Sequence, residues 1–291
     1  MPTDPVARMR RFNRAVTTEA GLLDSSFLGR GRPLGPARVL NAIGHGLCDV
    51  AEIRAYLRLD SGLTSRLLRG LEEEGLITLS PSPQDARRRI AALTPAGEAE
   101  FAAYESLSDD HARDVLARHP RPDILLDAMD VVATALGLDR ITLEEVAPED
   151  PRARACLDIY YGELAERLRT GFDVTLSADP EAADMTAPRG AFLIAMSDGM
   201  PIGCVGLKGT DKGYAEIKRL WVSQAARGMG LAGRLMDAVE TRARDLGISL
   251  LRLDTNSALP EAVAFYRKRQ WTEIGRFNED PYPDIFFEKV L

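Results

Sequence analysis

The segment QAARGMGLAGRL, residues 224–235, lies between a charged strand-like run and an amphipathic helical one. Small side chains at such a junction let backbone N–H groups close around a diphosphate, and the helix dipole favours the anion. Gly228, Gly230 and Gly233 spell G-x-G-x-x-G, with Asp254 ending a later strand, which is the fingerprint of a dinucleotide site. Two features count against that reading. The preceding strand, residues 216–222, is charged, whereas the first strand of a parallel nucleotide-binding sheet is a buried apolar run. Only 37 residues follow Asp254, too few for further βαβ units. The same loop also reads as Arg-x-x-Gly-x-Ala, from Arg227, Gly230 and Ala232. A second constellation lies far upstream. Opposite a stripe of Leu63, Leu67, Leu68 and Leu71, the spacing presents Ser61, Thr64, Ser65 and Arg69, with Arg66 at the edge. Hydroxyls and guanidinia on one half of a helix are the groups that read base edges and hold phosphates. The run Arg87-Arg88-Arg89 adds a second cationic probe, suited to a narrow minor groove.

These residues need elements to position them. The chain has 291 residues, long enough for two domains. In the first half, 36–44 and 48–57 read as short helices, the second with Asp49 as N-cap, and 61–74 as a third stopped by Gly75 as a left-handed cap. LITLS (76–80) and IAALT (90–94) flank a polar Arg-bearing loop as a β-hairpin, and 95–116 returns to helix. Residues 124–138 form a last helix before a boundary placed at 140/141. Beyond it the period changes to mixed α/β, with a helix over 151–169, strands at 191–196, 200–207, 214–222 and 249–255, and helices over 230–246 and 260–269. WTEIGRF and DIFFEKVL close the chain as strands.

Composition narrows the function classes. Three cysteines (Cys48, Cys156, Cys204) and three histidines form no ligand pattern, so no metal is expected. The most apolar long stretch, 191–207, is interrupted by Asp198 and turn-formers and is too short and broken to span a bilayer. No secretory leader is evident behind Arg8, Arg10 and Arg11, and the expectation is a cytoplasmic protein. Net charge is −7, yet the first hundred residues hold 14 Arg against 12 acids, which leaves room for a local basic face.

The stretch SRLLRGLEEEGLITLSPSPQDARRRIAALTPAGEAEF resembles the MarR family of winged-helix regulators, through a recognition helix, the wing motif Asp85-Ala86-Arg87, and Leu93-Thr94-Pro95-Ala96-Gly97. The resemblance implies a homodimer on double-stranded, pseudo-palindromic operator DNA, joined through the terminal helices of the N-terminal domain. It also implies that Asp85 orients Arg87, with Ser61, Thr64, Ser65, Arg66, Arg69, Arg88 and Arg89 as the further DNA-facing set.

The loop at 227–232, the EIKRLWV strand before it and AFYRKRQW (264–271) are similar to the GNAT acetyltransferase superfamily. That resemblance implies an acetyl-CoA cosubstrate held by Arg227, Gly228, Met229, Gly230, Leu231 and Ala232. Backbone groups of Leu220, Trp221 and Val222 would hold the pantetheine arm where their strand splays from its neighbour. Tyr266 is implied as general acid toward the sulfur and Glu216 as general base for an amine acceptor. Two positions depart from the family pattern: the Gly common after the Tyr helix is Gln270, and the Asn often seven residues before the Tyr is Leu259, with Asn256 nearby in its place. The expectation is therefore a winged-helix domain of α+β class over 1–140 and an α/β GNAT fold with a mixed, mostly antiparallel sheet over 141–291. Such a chain would be a regulator that also transfers acetyl groups, a regulator whose second domain only senses an acyl-CoA or metabolite, or an enzyme whose winged helix serves only for dimerisation.

Overall fold

The computed structural model describes residues 4–168, 171–176 and 183–291. The chain divides into two compact units, 1–122 and 123–291. That division precedes the expected 140/141 boundary by one helix.

In the first unit, α1 (Pro5–Glu19) starts where the Asp4 carboxylate accepts the N–H groups of Val6 and Ala7. Next come α2 (Leu34–Gly44), α3 (Val50–Leu57) and α4 (Ser61–Glu73). Asp49 caps α3 as expected, accepting from Ala51 and Glu52, and Gly75 turns left-handed just past α4 at φ 72°. The hairpin β1 (Ile77–Pro81) and β2 (Arg89–Leu93) pairs Ile77 with Leu93 and Pro81 with Arg89. In α5 (Pro95–Ala117) the Thr94 hydroxyl accepts the Gly97 N–H and donates to Gly75 O at 2.6 Å. A Cβ on Gly97 would lie 1.9 Å from the Leu76 carbonyl, so the Leu-Thr-x-x-Gly run is a steric requirement of this junction. Val39, Leu40, Ile53, Leu68, Leu71, Ile77 and Ala91 form the core beneath it. Helix, helix, recognition helix and hairpin make a winged helix-turn-helix.

The second unit contains all but the first residue of α6 (Pro122–Leu136), then β3 (Thr142–Glu145) and α7 (Pro151–Arg167). Arg169, the last residue of the helix expected there, lies outside the described residues. There follow β4 (Ala191–Ser197), β5 (Met200–Gly209), β6 (Ala215–Val222), α8 (Leu231–Asp245), β7 (Leu250–Thr255), α9 (Pro260–Lys268), β8 (Thr272–Ile274) and β9 (Ile285–Val290). The strand order is β3-β4-β5-β6-β7-β9-β8, and only β6 and β7 run parallel. The apolar run of β4 is explained by cover on both faces. Ala191, Leu193 and Ala195 pack with α8 through Leu231, Leu235, Met236 and Val239. Phe192, Ile194 and Met196 pack with Ala153, Cys156 and Leu157 of α7. The sheet is thus a middle layer, and the mixed, mostly antiparallel GNAT architecture is as expected.

Candidate functional site

The parallel ladder of β6 and β7 lasts three residues, from Ala215↔Leu251 to Ile217↔Leu253. Its end has a local cause on the other edge of β6. There Trp221 pairs with Cys204 and Lys218 with Gly206, so Arg219 and Leu220 together oppose Val205. The extra residue is a β-bulge, with Arg219 at φ 57°. It turns β6 away from β7, and Leu220, Trp221 and Val222 run on without a strand partner on that side. A cleft opens in the gap, lined by Leu220, Lys218, Asp254, Asn256 and Tyr266 on one side and by Tyr160 and Tyr161 on the other.

Beyond β6 the chain enters the glycine loop. Gly228 and Gly230 sit at φ 77° and 81°, with open space where a Cβ would stand. Backbone sign, not crowding, calls for glycine there. Gly230 is the N-cap of α8 and no side chain caps the helix, so its first N–H groups face outward. Leu231 is buried in the core and anchors the turn, while Met229 and Ala232 are half-buried. The Arg227 side chain is engaged within the protein. Its Nε donates to Val222 O at 3.0 Å and its guanidinium pairs with Glu163 of α7, which also accepts from Trp221 Nε1 at 3.0 Å. Arg227 and Trp221 therefore brace the loop, and any anion grip belongs to the backbone.

Tyr266 projects from α9 with its ring among Phe265, Trp271 and Phe287. Its hydroxyl has no partner among the described residues, and burial, then the Asp254 charge, raises its pKa. The group stays protonated through the neutral range, as a proton donor must. The neighbouring Tyr160 is raised for the same reasons, burial first, then Tyr266 and Asp254.

Glu216 differs from expectation. It is 5% exposed and does not line the cleft. Its Oε2 lies 3.1 Å from Lys218 Nζ, which in turn donates to Asp254 Oδ2 at 2.7 Å. Period-two alternation sets Glu216 and Lys218 on one face of β6, and the longer lysine stands between the glutamate and the gap. Burial opposes the lysine's charge, but Asp254 and Glu216 outweigh it and raise its pKa. Asn256 lines the cleft with its amide engaged, donating to Tyr282 O at 2.6 Å and accepting from Ala258 N at 2.8 Å. It shapes the turn into α9. Gln270, where the family prefers glycine, holds the left-handed φ of 62° that explains the preference. Lys218 and Glu163 were not singled out from the sequence, and Asp254 entered only through the dinucleotide fingerprint; the Glu-x-Lys spacing was the available signal for Lys218. Among the described residues no group of side chains could hold a metal ion.

In the first unit, Ser61, Ser65, Arg66 and Arg69 are exposed on α4. Thr64 is not: it is 2% exposed, and its hydroxyl donates to Asp60 O at 2.8 Å. Positions 64, 68 and 71 fall within a narrow angular range on a 3.6-residue helix, so Thr64 belongs to the buried stripe. In the wing, Asp85 accepts the backbone N–H of Arg87 at 3.0 Å. The Arg87 guanidinium has no partner among the described residues. Arg88 is tied back to α3, donating to Asp49 Oδ2 at 2.7 Å and Glu52 Oε1 at 2.9 Å. Arg89 is exposed on β2 opposite Pro81.

Comparison with known proteins matches both units. The model of the acetyltransferase (GNAT) family fits residues 154–270, and that of the MarR family fits residues 31–88. An IAA acetyltransferase of Azospirillum brasilense is 38% identical over 105 residues, 34% of this chain and 67% of that protein. An uncharacterized N-acetyltransferase of Mycobacterium tuberculosis is 32% identical over 124 residues, 40% of this chain and 80% of that one. Among solved structures, a GNAT-family acetyltransferase from Staphylococcus aureus is 19% identical, with a TM-score of 0.46, covering 52% of this chain and 98% of its own. No helix among the described residues is long and apolar enough to cross a membrane.

Proposed function

The chain belongs to the GNAT acetyltransferase family and carries a MarR-family domain ahead of the transferase fold; on that premise we propose that it is a DNA-binding regulator fused to an acetyl-CoA-dependent N-acetyltransferase. The observation that carries the enzymatic half is the gap between β6 and β7. An unpartnered, protonated Tyr266 hydroxyl lines it, and the uncapped start of α8 follows β6 through the glycine loop. Acetyl-CoA supplies the activated acyl group. The N–H groups of Gly228 to Ala232 bind its diphosphate, where the dipole of α8 adds to the attraction. The free edge of Leu220, Trp221 and Val222 takes the place of a missing strand and aligns the pantetheine arm. Tyr266 gives its proton to the departing sulfur, and an amine of a small molecule or a protein accepts the acyl group.

The regulatory half rests on the exposed hydroxyls and guanidinia of α4 and the open Arg87 at the wing tip. Homodimerisation is supported by α1, a 15-residue helix with no buried residue and an apolar row of Val6, Met9, Phe12 and Val16. Beyond the Glu19–Arg118 ion pair at its end the apolar row of this helix is uncovered, and a second copy covering it is the reading we adopt. A cytoplasmic location is the setting in which DNA and acetyl-CoA are both met. Calorimetric titration with acetyl-CoA tests the transferase reading, with absence of binding as the result that overturns it. Selection of bound genomic fragments tests the regulator reading in the same way.

A further inference from the structure

We propose that Asp254, not Glu216, receives the acceptor, and that the acceptor is a primary ammonium carrying an apolar, flat body. The inference rests on the transferase reading and names the chemistry of its second substrate. Asp254 is the penultimate residue of β7, one residue beyond the last rung of the parallel ladder with β6. Its Oδ2 is fixed by two donors, Lys218 Nζ at 2.7 Å and Asn278 Nδ2 at 2.5 Å. Its Oδ1 has no partner among the described residues and is not sealed from the cleft that Asp254 lines. A carboxylate with one oxygen clamped and the other open is held ready for a single further donor. Tyr266, 7% exposed with an unpartnered hydroxyl, lines the same space, so base and acid share one cleft.

Charge points the same way. Glu216 and Asp254 flank Lys218, and Arg219 and Asp280 line the same cleft, so three acids meet two cations and one negative charge is in excess. Burying an uncompensated charge is costly, and a bound ammonium removes that cost. The far wall of the cleft is aromatic. Tyr161 stacks on Phe172 at 5.5 Å between ring centroids, and Phe172 packs on Tyr282 at 4.7 Å. Together Tyr161, Phe172 and Tyr282 give the cleft an apolar aromatic lining that suits an apolar, flat substituent. Lys218 and Asn278 are positioning residues, and Glu216 acts through Lys218.

One proton passes from the ammonium to Asp254 and on to solvent. The nitrogen lone pair then bonds to the thioester carbonyl carbon as the C–S bond breaks toward sulfur. Tyr266 protonates the sulfur and regains a proton from the nitrogen, leaving an amide and a free thiol.

The test uses the full chain with acetyl-CoA and 2-phenylethylamine, following thiol release. The expected result is turnover by the wild type. Asp254→Asn should lower kcat/KM about 100-fold with acetyl-CoA affinity unchanged. Glu216→Gln should cost about tenfold or less, most of it in the amine KM. Should Asp254→Asn fail to fold, the wild type still decides. Its complex with CoA should bind 2-phenylethylamine about tenfold more tightly than the neutral 2-phenylethanol. Equal binding of the two, a wild-type rate in Asp254→Asn, or a greater loss in Glu216→Gln overturns the assignment. So does a wild type that binds acetyl-CoA yet leaves 2-phenylethylamine unacetylated. Failure to bind acetyl-CoA at all instead overturns the transferase reading on which this one stands.

Discussion

Lys218 Nζ lies 2.7 Å from Asp254 Oδ2, across the point where β6 and β7 part. Both side chains are 12% exposed, so the pair bridges a gap that no backbone hydrogen bond closes. Removing one partner leaves the other charge in a poorly solvated place, and Lys218→Met should cost about 3 kcal/mol of unfolding free energy. The pH dependence has a definite sign. The folded pKa of Lys218 is raised above its ordinary 10.5, so its contribution is complete below that value. It is lost as pH climbs through the higher folded value. Urea titrations in the alkaline range should therefore show the wild type losing stability faster than Lys218→Met. Parallel declines in the two proteins would show that the ion pair contributes nothing.

Gly230 allows the phosphate loop to be tested by two different changes. At φ 81° any side chain is strained, but nothing crowds a Cβ there. Gly230→Ala should lower stability by about 1 kcal/mol while acetyl-CoA still binds, only somewhat more weakly. Gly230→Glu adds a carboxylate at the start of α8, where the diphosphate would sit, and should abolish binding. Calorimetry on both variants separates backbone strain from charge. Retained affinity in the glutamate variant would remove the loop from the site.

Tyr266→Phe isolates the hydroxyl from the ring. The ring packs against Trp271 and Phe287 and is kept, so the melting temperature should not fall. Loss of the proton donor should reduce kcat about 100-fold with little change in KM. An unaltered kcat would leave Tyr266 as a packing residue.

The sequence was most legible where local rules act alone. The Asp49 cap, the Gly75 stop and the wing hairpin follow from caps, breakers and periods, and each stands where expected. The positive φ of Gly228 and Gly230 suits the loop reading for the same reason. The structure departs from expectation where two elements compete for one side chain. Thr64 is polar enough to be placed outward, yet its angle on α4 puts it in the buried stripe. Glu216 faces the correct side of β6, but a longer neighbour two residues on covers it. The bulge at Arg219 and the reach of Asn278 to Asp254 join positions far apart in the chain, and no single-segment pattern encodes them.

The three arginines of the wing should behave differently although the sequence makes them look alike. Arg88 is committed to Asp49 and Glu52, and the bond to Arg88 is the first cause of the lowered Asp49 pKa. Its charge is largely met inside the protein, so it releases few counterions on binding DNA. Arg87 stands open at the tip, with only its backbone N–H held by Asp85. Arg87→Ala should therefore flatten the dependence of log affinity on log salt by about one unit. Arg88→Ala should leave that slope nearly unchanged and instead loosen the wing from α3, which hydrogen exchange at Ile90 and Ala91 would report. Binding to a selected genomic fragment at several salt concentrations measures both slopes. A flattened slope in Arg88→Ala with none in Arg87→Ala would exchange their roles and place the DNA backbone on the α3 side of the wing.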